Sequence, residues 1–108
     1  MKFYIGGAWQ GQEELARREN PTAEIIVDFH ECIRNALTRG EDPCRFTEHI
    51  CTTHPMAVIV ANEIGAGIVP LDVSERIFRE AVGRALCIVA QRSEEVTRVV
   101  CGIGVRIK

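Results

Sequence analysis

Ala57-Val58-Ile59-Val60-Ala61 constrains this chain more than any other segment. A strand with one wet face alternates apolar and polar side chains. An unbroken apolar run of strand length needs cover on both faces, which is the habit of parallel sheets flanked by helices. Ile25-Ile26-Val27 reads as a second buried strand, within Glu24 to Asp28, and Lys2 to Ile5 as a short first strand. Between them lie helical stretches. Gln12 to Glu19 is charged and stops at Asn20-Pro21. Phe29, Cys32, Ile33, Ala36 and Leu37 fall at i, i+3, i+4, i+7, i+8, an amphipathic stripe that Gly40 terminates.

Glu41-Asp42-Pro43 opens a third helix to about Thr53, with acids and proline where a helix N-terminus favours them. A long fourth helix follows, with Ser74 as its expected N-cap and an end near Arg92. Its apolar stripe is wider than one sheet contact requires. Glu95 to Cys101 reads as a strand, Gly102-Ile103-Gly104 as a turn, and Val105 to Ile107 as a last strand. The order β-α-β-α-α-β-α-β-β predicts an α/β fold. The expected arrangement is three-layer α/β/α on a mainly parallel sheet of about five strands, with residues 1–108 as one domain.

Charge and cysteine content narrow the function classes. Thirteen Lys and Arg face 15 Asp and Glu, for a net charge of −2, which argues against a nucleic-acid partner. Apolar runs are far shorter than the ~20 residues of a spanning helix, and the first residues lack a secretory leader pattern. Five cysteines with no CxxC pair read as free thiols, and the expected location is the cytoplasm.

Four places have the residue types for chemistry. Gly6-Gly7-Ala8-Trp9-Gln10-Gly11 is a G-x-x-x-x-G frame between a strand and a helix, the context of a phosphate loop. Backbone N–H groups and a helix N-terminus there make an anion site. A working loop continues with Lys, for the phosphates, and Ser or Thr, for Mg²⁺; here those positions are Gln12 and Glu13. The ordinary alternative is a tight strand-to-helix turn. Asn62-Glu63-Ile64-Gly65-Ala66-Gly67 leaves the C-terminal end of the apolar strand, where α/β proteins place ligands, and Glu63 could hold a metal or orient a water. The alternative there is a solvated loop. His30 is expected at the same sheet edge, as a nucleophile or acid–base group or as a plain helix-start residue. Cys44, His49, Cys51 and His54 are zinc-ligand types at a spacing unlike the familiar fingers.

Asn62-Glu63-Ile64-Gly65-x-Gly67-Ile68-Val69-Pro70, Phe78-Arg79-Glu80, Gly83-Arg84 and the closing Cys101-Gly102-Ile103-Gly104-Val105-Arg106-Ile107-Lys108 resemble the adenosylcobinamide kinase / adenosylcobinamide-phosphate guanylyltransferase family of late cobalamin assembly. The strand-Gly-Gly-Ala turn matches that family's nucleotide loop in position, and Asp28 to Asp42 is similar to its strand-helix segment. The resemblance implies a phosphate-loop NTPase-like fold, GTP or ATP with Mg²⁺, a kinase step on a corrinoid hydroxyl, GMP transfer through a guanylylated histidine, and a trimer.

By that resemblance Gly6, Gly7, Ala8, Trp9, Gln10, Gly11, Gln12, Glu13, Asn62, Gly65 and Gly67 would contact nucleotide. Asp28 and Glu63 would handle Mg²⁺, and His30 and Glu63 are the catalytic candidates. Arg79 and Arg84 would contact phosphate or form ion pairs along their helix.

The sequence departs from the family in four places. Gln12 and Glu13 replace the loop Lys and Ser/Thr. The segment between the first helix and Ile25 is too short for the family's histidine-bearing helix, and His30 does not align with that histidine. Leu86-Cys87 stands where Asn-Gln is common. The expectation is a shortened family member that binds nucleotide or corrinoid, with phosphoryl and nucleotidyl transfer reduced or lost. The competing readings are a non-catalytic binding or regulatory module and a zinc-stabilised interaction protein.

Overall fold

A computed structural model describes residues 1–64 and 72–108. The elements are β1 (Lys2–Gly6), α1 (Gln12–Glu19), β2 (Ile25–Ile26), α2 (Phe29–Thr38), α3 (Pro43–Thr53), β3 (Val58–Asn62), α4 (Val73–Arg92), β4 (Glu95–Val100) and β5 (Ile103–Arg106). The strands build one sheet in the order β2-β3-β1-β4-β5. β1 runs parallel to β3 and β4, β2 runs parallel to β3, and β5 returns antiparallel to β4.

The apolar run 57–61 has the double cover its pattern demands. Val58 and Val60 face α1, in a small core with Tyr4, Leu15, Ala16 and Val99. Ala57, Ile59 and Ala61 face the other way, into the main core with Phe3, Phe29, Ile33, Cys51, Phe78, Val82, Ala85 and Val89. One helix therefore covers one face of the sheet, and α2, α3 and α4 cover the other, which is the predicted three-layer α/β/α arrangement.

Local chemistry sets the element ends and corrects several of the expected ones. Asp42 caps α3 by accepting from the Cys44 and Arg45 N–H groups, with Pro43 in the first turn. α4 is capped one turn edge earlier than expected: Asp72 accepts from the Ser74 N–H, so Ser74 is inside the helix. β2 is only Ile25–Ile26, because Asp28 turns into the left-handed region (φ 51°) to start α2. The last turn is Cys101-Gly102, both at positive φ (50° and 77°), the signature of a two-residue hairpin. Gly104 is therefore a strand residue, and a Cβ there would stand 2.8 Å from both Leu15 Cδ2 and Thr97 Cγ2.

The surplus apolar surface is not where the helix pattern placed it. The broad stripe of α4 is consumed by α2, α3 and the sheet, and Val73 and Ile77 are its exposed large apolar residues. Val100, Ile103, Val105 and Ile107, on the β4–β5 hairpin and just beyond it, are instead 49–68% exposed. All five cysteines are free thiols, and burial pushes the thiols of Cys32 and Cys51 upward. Among the described residues no helix is long and apolar enough to cross a membrane.

Two substitutions test this architecture. Gly6 ends β1 between Asn62 of β3 and Val99 of β4. A Cβ at Gly6 would lie 2.5 Å from the Val99 carbonyl oxygen, a backbone atom that cannot swing aside. Gly6→Ala is expected to lower unfolding free energy by ~1–3 kcal/mol, the usual cost of overpacking, read from urea midpoints.

The second concerns Tyr4, which is buried under α1 and donates its O–H to Glu19 at 2.7 Å. Burial, reinforced by that carboxylate, pushes its pKa from 10.0 up to about 12. The unfolded chain loses this proton first, so unfolding releases a proton in that window and stability falls as pH rises from about 10 toward 12. The slope is at most ~1.4 kcal/mol per pH unit. Tyr4→Phe should flatten this segment of the stability profile in urea titrations run across that range.

Candidate functional site

The C-terminal ends of β1 and β3 meet in register. Gly6 pairs with Asn62, and the Glu63 N–H donates to the Gly6 carbonyl at 2.8 Å. The Gly6–Gly11 loop and the start of the Asn62 loop thus share one sheet edge, as two parallel strands joined by right-handed crossovers require. Gly65 and Gly67 lie outside the described residues. From this edge the chain enters α1 through Gly11 in the left-handed region (φ 87°). Glu13 and Glu14 occupy the first turn of α1 and Arg17 and Arg18 the last, each sign matching its end of the helix dipole.

Gln12 is the surprise of the loop. Its side chain is buried and turned inward. Nε2 lies 2.7 Å from Asn62 Oδ1, 3.0 Å from the Gly7 carbonyl, 3.1 Å from the Gly6 carbonyl and 3.4 Å from the Ala61 carbonyl. Three of these partners are backbone oxygens that only accept, so the amide orientation follows from the network. Two amide hydrogens serve four acceptors, and none is left for a ligand.

The network continues through Asn62, whose backbone N–H donates to His30 Nδ1 at 3.1 Å. His30 is buried at the start of α2, with Nδ1 as an acceptor and hence its proton on Nε2, 3.9 Å from Glu31 Oε1. His30, Asn62 and Gln12 therefore tie α2, β3 and α1 together. The sequence pattern placed His30 near the loop, but it carried no sign of this bond to Asn62.

The loop is also anchored on its far side. Gln10 accepts from the Cys101 N–H through its side chain (2.7 Å) and from the Gly102 N–H through its carbonyl (2.7 Å). Trp9, directly before Gln10, has φ 63°, rare for a bulky residue, and is 99% exposed. Beside the loop opens a cleft of about 760 Å³, walled by residues 8–14 together with Asp28, Asn62 and the Cys101-Gly102 turn. Its charged walls are Glu13, Glu14 and Asp28, and no Lys, Arg or His is among its described lining residues. Glu13 pairs with Arg17 at 3.1 Å.

The expected Mg²⁺ pair separates. Asp28 faces the cleft, whereas Glu63 lines a second, mostly apolar cavity of about 340 Å³ between the sheet and α4, where Arg98 stands 4.0 Å away. The zinc-type residues do not gather either. Cys51 is in the core, His54 pairs with Glu24 at 2.9 Å, and no metal-holding cluster of His, Cys, Asp and Glu occurs among the described residues. Arg84 pairs with Glu80 at 2.6 Å on the surface of α4. The described groups do not fit a Mg²⁺-triphosphate: the ammonium and hydroxyl that hold one are absent, and the amide in the ammonium's place is committed to carbonyls.

Comparison with known proteins gives this geometry its kinship. The family model described as cobinamide kinase / cobinamide phosphate guanyltransferase matches residues 13–107. The bifunctional adenosylcobalamin biosynthesis protein of Escherichia coli is 49% identical over 124 residues, covering 93% of this chain and 67% of that protein. The protein of the same description from Salmonella typhimurium is 49% identical over 51 residues, 47% of this chain and 28% of that protein. The Escherichia coli alignment exceeds the 108 residues of this chain, so the relative carries insertions inside the matched span. This agrees with the short connection from α1 to β2. The chain belongs to the cobinamide kinase / cobinamide phosphate guanyltransferase family.

Proposed function

We propose that this chain, folded as one domain, binds a small molecule of its family's kind, nucleotide or corrinoid, in the cleft beside Gly6–Gly11, with phosphoryl and nucleotidyl transfer reduced or lost. Kinship to proteins of adenosylcobalamin biosynthesis supports a place in that pathway, in the cytoplasm. One observation carries the loss of transfer: the Gln12 amide is spent on Gly6, Gly7 and Asn62. Phosphoryl transfer needs cations that neutralise charge developing on the transferred group, and here a committed dipole and the Glu13 carboxylate stand in their place. The same observation favours a binding or regulatory module over an enzyme. His30 is then a positioning residue that holds the end of β3 through Asn62, and Asp28 shapes the cleft.

The purified protein with Mg²⁺ and ATP or GTP is expected to show turnover at least ~10²–10³-fold below a loop with its lysine, since one lost electrostatic contact costs about that much. Steady-state hydrolysis and transfer to cobinamide measure it, and robust turnover overturns the reading. Gln12→Lys combined with Glu13→Ser should tighten GTP or ATP binding by ~10-fold or more, the scale of a charge-assisted hydrogen bond. Calorimetric titration would show this.

We further infer a homo-oligomer, a trimer by resemblance. The exposed Val100, Ile103, Val105 and Ile107 make an apolar surface that a second copy would cover. Light scattering should return a mass well above the 12.0 kDa of one chain, and Val105→Lys should lower it.

A further inference from the structure

We propose that the cleft beside Gly6–Gly11 selects the phosphate-free form of its ligand: an uncharged heteroaromatic ring of the nucleoside kind, held on Trp9. This rests on the reading that the cleft is a small-molecule site, and it names the class of molecule the site takes.

Charge comes first. Glu13, Glu14 and Asp28 wall the cleft, and its described lining contains no Lys, Arg or His. Arg17 stands on α1 but is engaged by Glu13. Among the described residues, Glu14 and Asp28 form no salt bridge with a Lys, Arg or His. A phosphate ester brought here would face like charges in a partly desolvated space, where repulsion is less screened than in water. The dipole of the α1 N-terminus, which would otherwise draw an anion, already has two carboxylates in its first turn.

Donors come second. The Gln12 amide, at the position from which a loop lysine would reach phosphate, donates to Asn62 and to backbone carbonyls.

The rim comes third. Trp9 offers a fully exposed indole beside a cleft of about 760 Å³, large enough for a nucleoside-sized ring system. The neighbouring Gln10 is tied to Cys101 and Gly102, which fixes the course of the loop that carries Trp9. Stacking on an aromatic face needs no cation and tolerates different rings. Carboxylates at the cleft wall can accept from ring N–H, exocyclic amino and ribose hydroxyl groups, which a nucleoside donates and a phosphate does not.

The test uses the full chain and its single Trp as the reporter. Guanosine, adenosine, GTP, ATP, cobinamide and cobinamide phosphate are titrated by Trp9 fluorescence and by calorimetry, at low and physiological salt. The expected result is nucleoside binding at least ~10-fold tighter than binding of the matching triphosphate, with the gap narrowing as salt rises. Glu13→Gln with Glu14→Gln should shrink the gap. Trp9→Ala, a change at a fully exposed side chain, should weaken guanosine by ~10-fold or more, the scale of one base–aromatic stack. Triphosphates binding as tightly as nucleosides, or cobinamide compounds binding while no nucleoside does, overturn the phosphate-free assignment and leave the small-molecule reading standing. Binding of none of the six overturns that reading itself.

Discussion

The amide of Gln12 closes the place where β1, β3 and α1 converge. Parallel strands end with carbonyls that lack a neighbour, and in an α/β sheet those ends gather beside the first helix. Here Nε2 lies within 3.4 Å of the Gly6, Gly7 and Ala61 carbonyls and of the Asn62 side chain. Removing that amide would take a donor from the Gly7 carbonyl and the Asn62 side chain, while the Gly6 carbonyl would keep the Glu63 N–H. The loop above it, the Asn62 bend and the His30 bond all take their positions from this point.

The same contact separates two uses of one loop frame. A lysine at position 12 would project a charge toward a ligand and leave the carbonyls to other donors. A glutamine is shorter, neutral and able to satisfy carbonyls directly, so it turns the loop into a self-contained structural element. Glu13, Glu14 and Asp28 are the charged residues that wall the cleft beside it. Shape and charge are independent properties of such a site.

Much of the fold was legible. Apolar runs, the 3.6-residue stripe of α2 and α4, and stop or start signals such as Asn20-Pro21 and Glu41-Asp42-Pro43 located the elements, because burial and terminal chemistry both constrain residue type. α1 begins and ends at the residues that glycine and the Asn20-Pro21 stop mark out. The misreadings fall at ends, where one backbone dihedral decides. Asp28 enters the left-handed region and cuts β2 short, Cys101-Gly102 makes the hairpin turn in place of Gly102–Gly104, and Asp72 caps α4 in place of Ser74. Asp and Gly announce such freedom in the sequence, but Cys101 does not. The apolar excess of α4 was visible, while its burial by α2 and α3 was not, because a stripe does not state how many neighbours it meets.

For the candidate site, the sequence by itself determined the loop frame, the loss of its cation and hydroxyl, the acids at the start of α1, and the kinship, since residue identity and spacing along the chain are enough for each. Only the tertiary structure decided that Gln12 points inward, that Asn62 receives it, that His30 is held through the Asn62 N–H, and that Asp28 and Glu63 face different cavities. Strand alternation sends Asn62 and Glu63 to opposite faces of the sheet, and the register of β1 against β3 sets Asn62 beside Gly6. Partners such as Gln12 and Asn62, fifty residues apart, meet only when that register forms, so no local pattern could have named them.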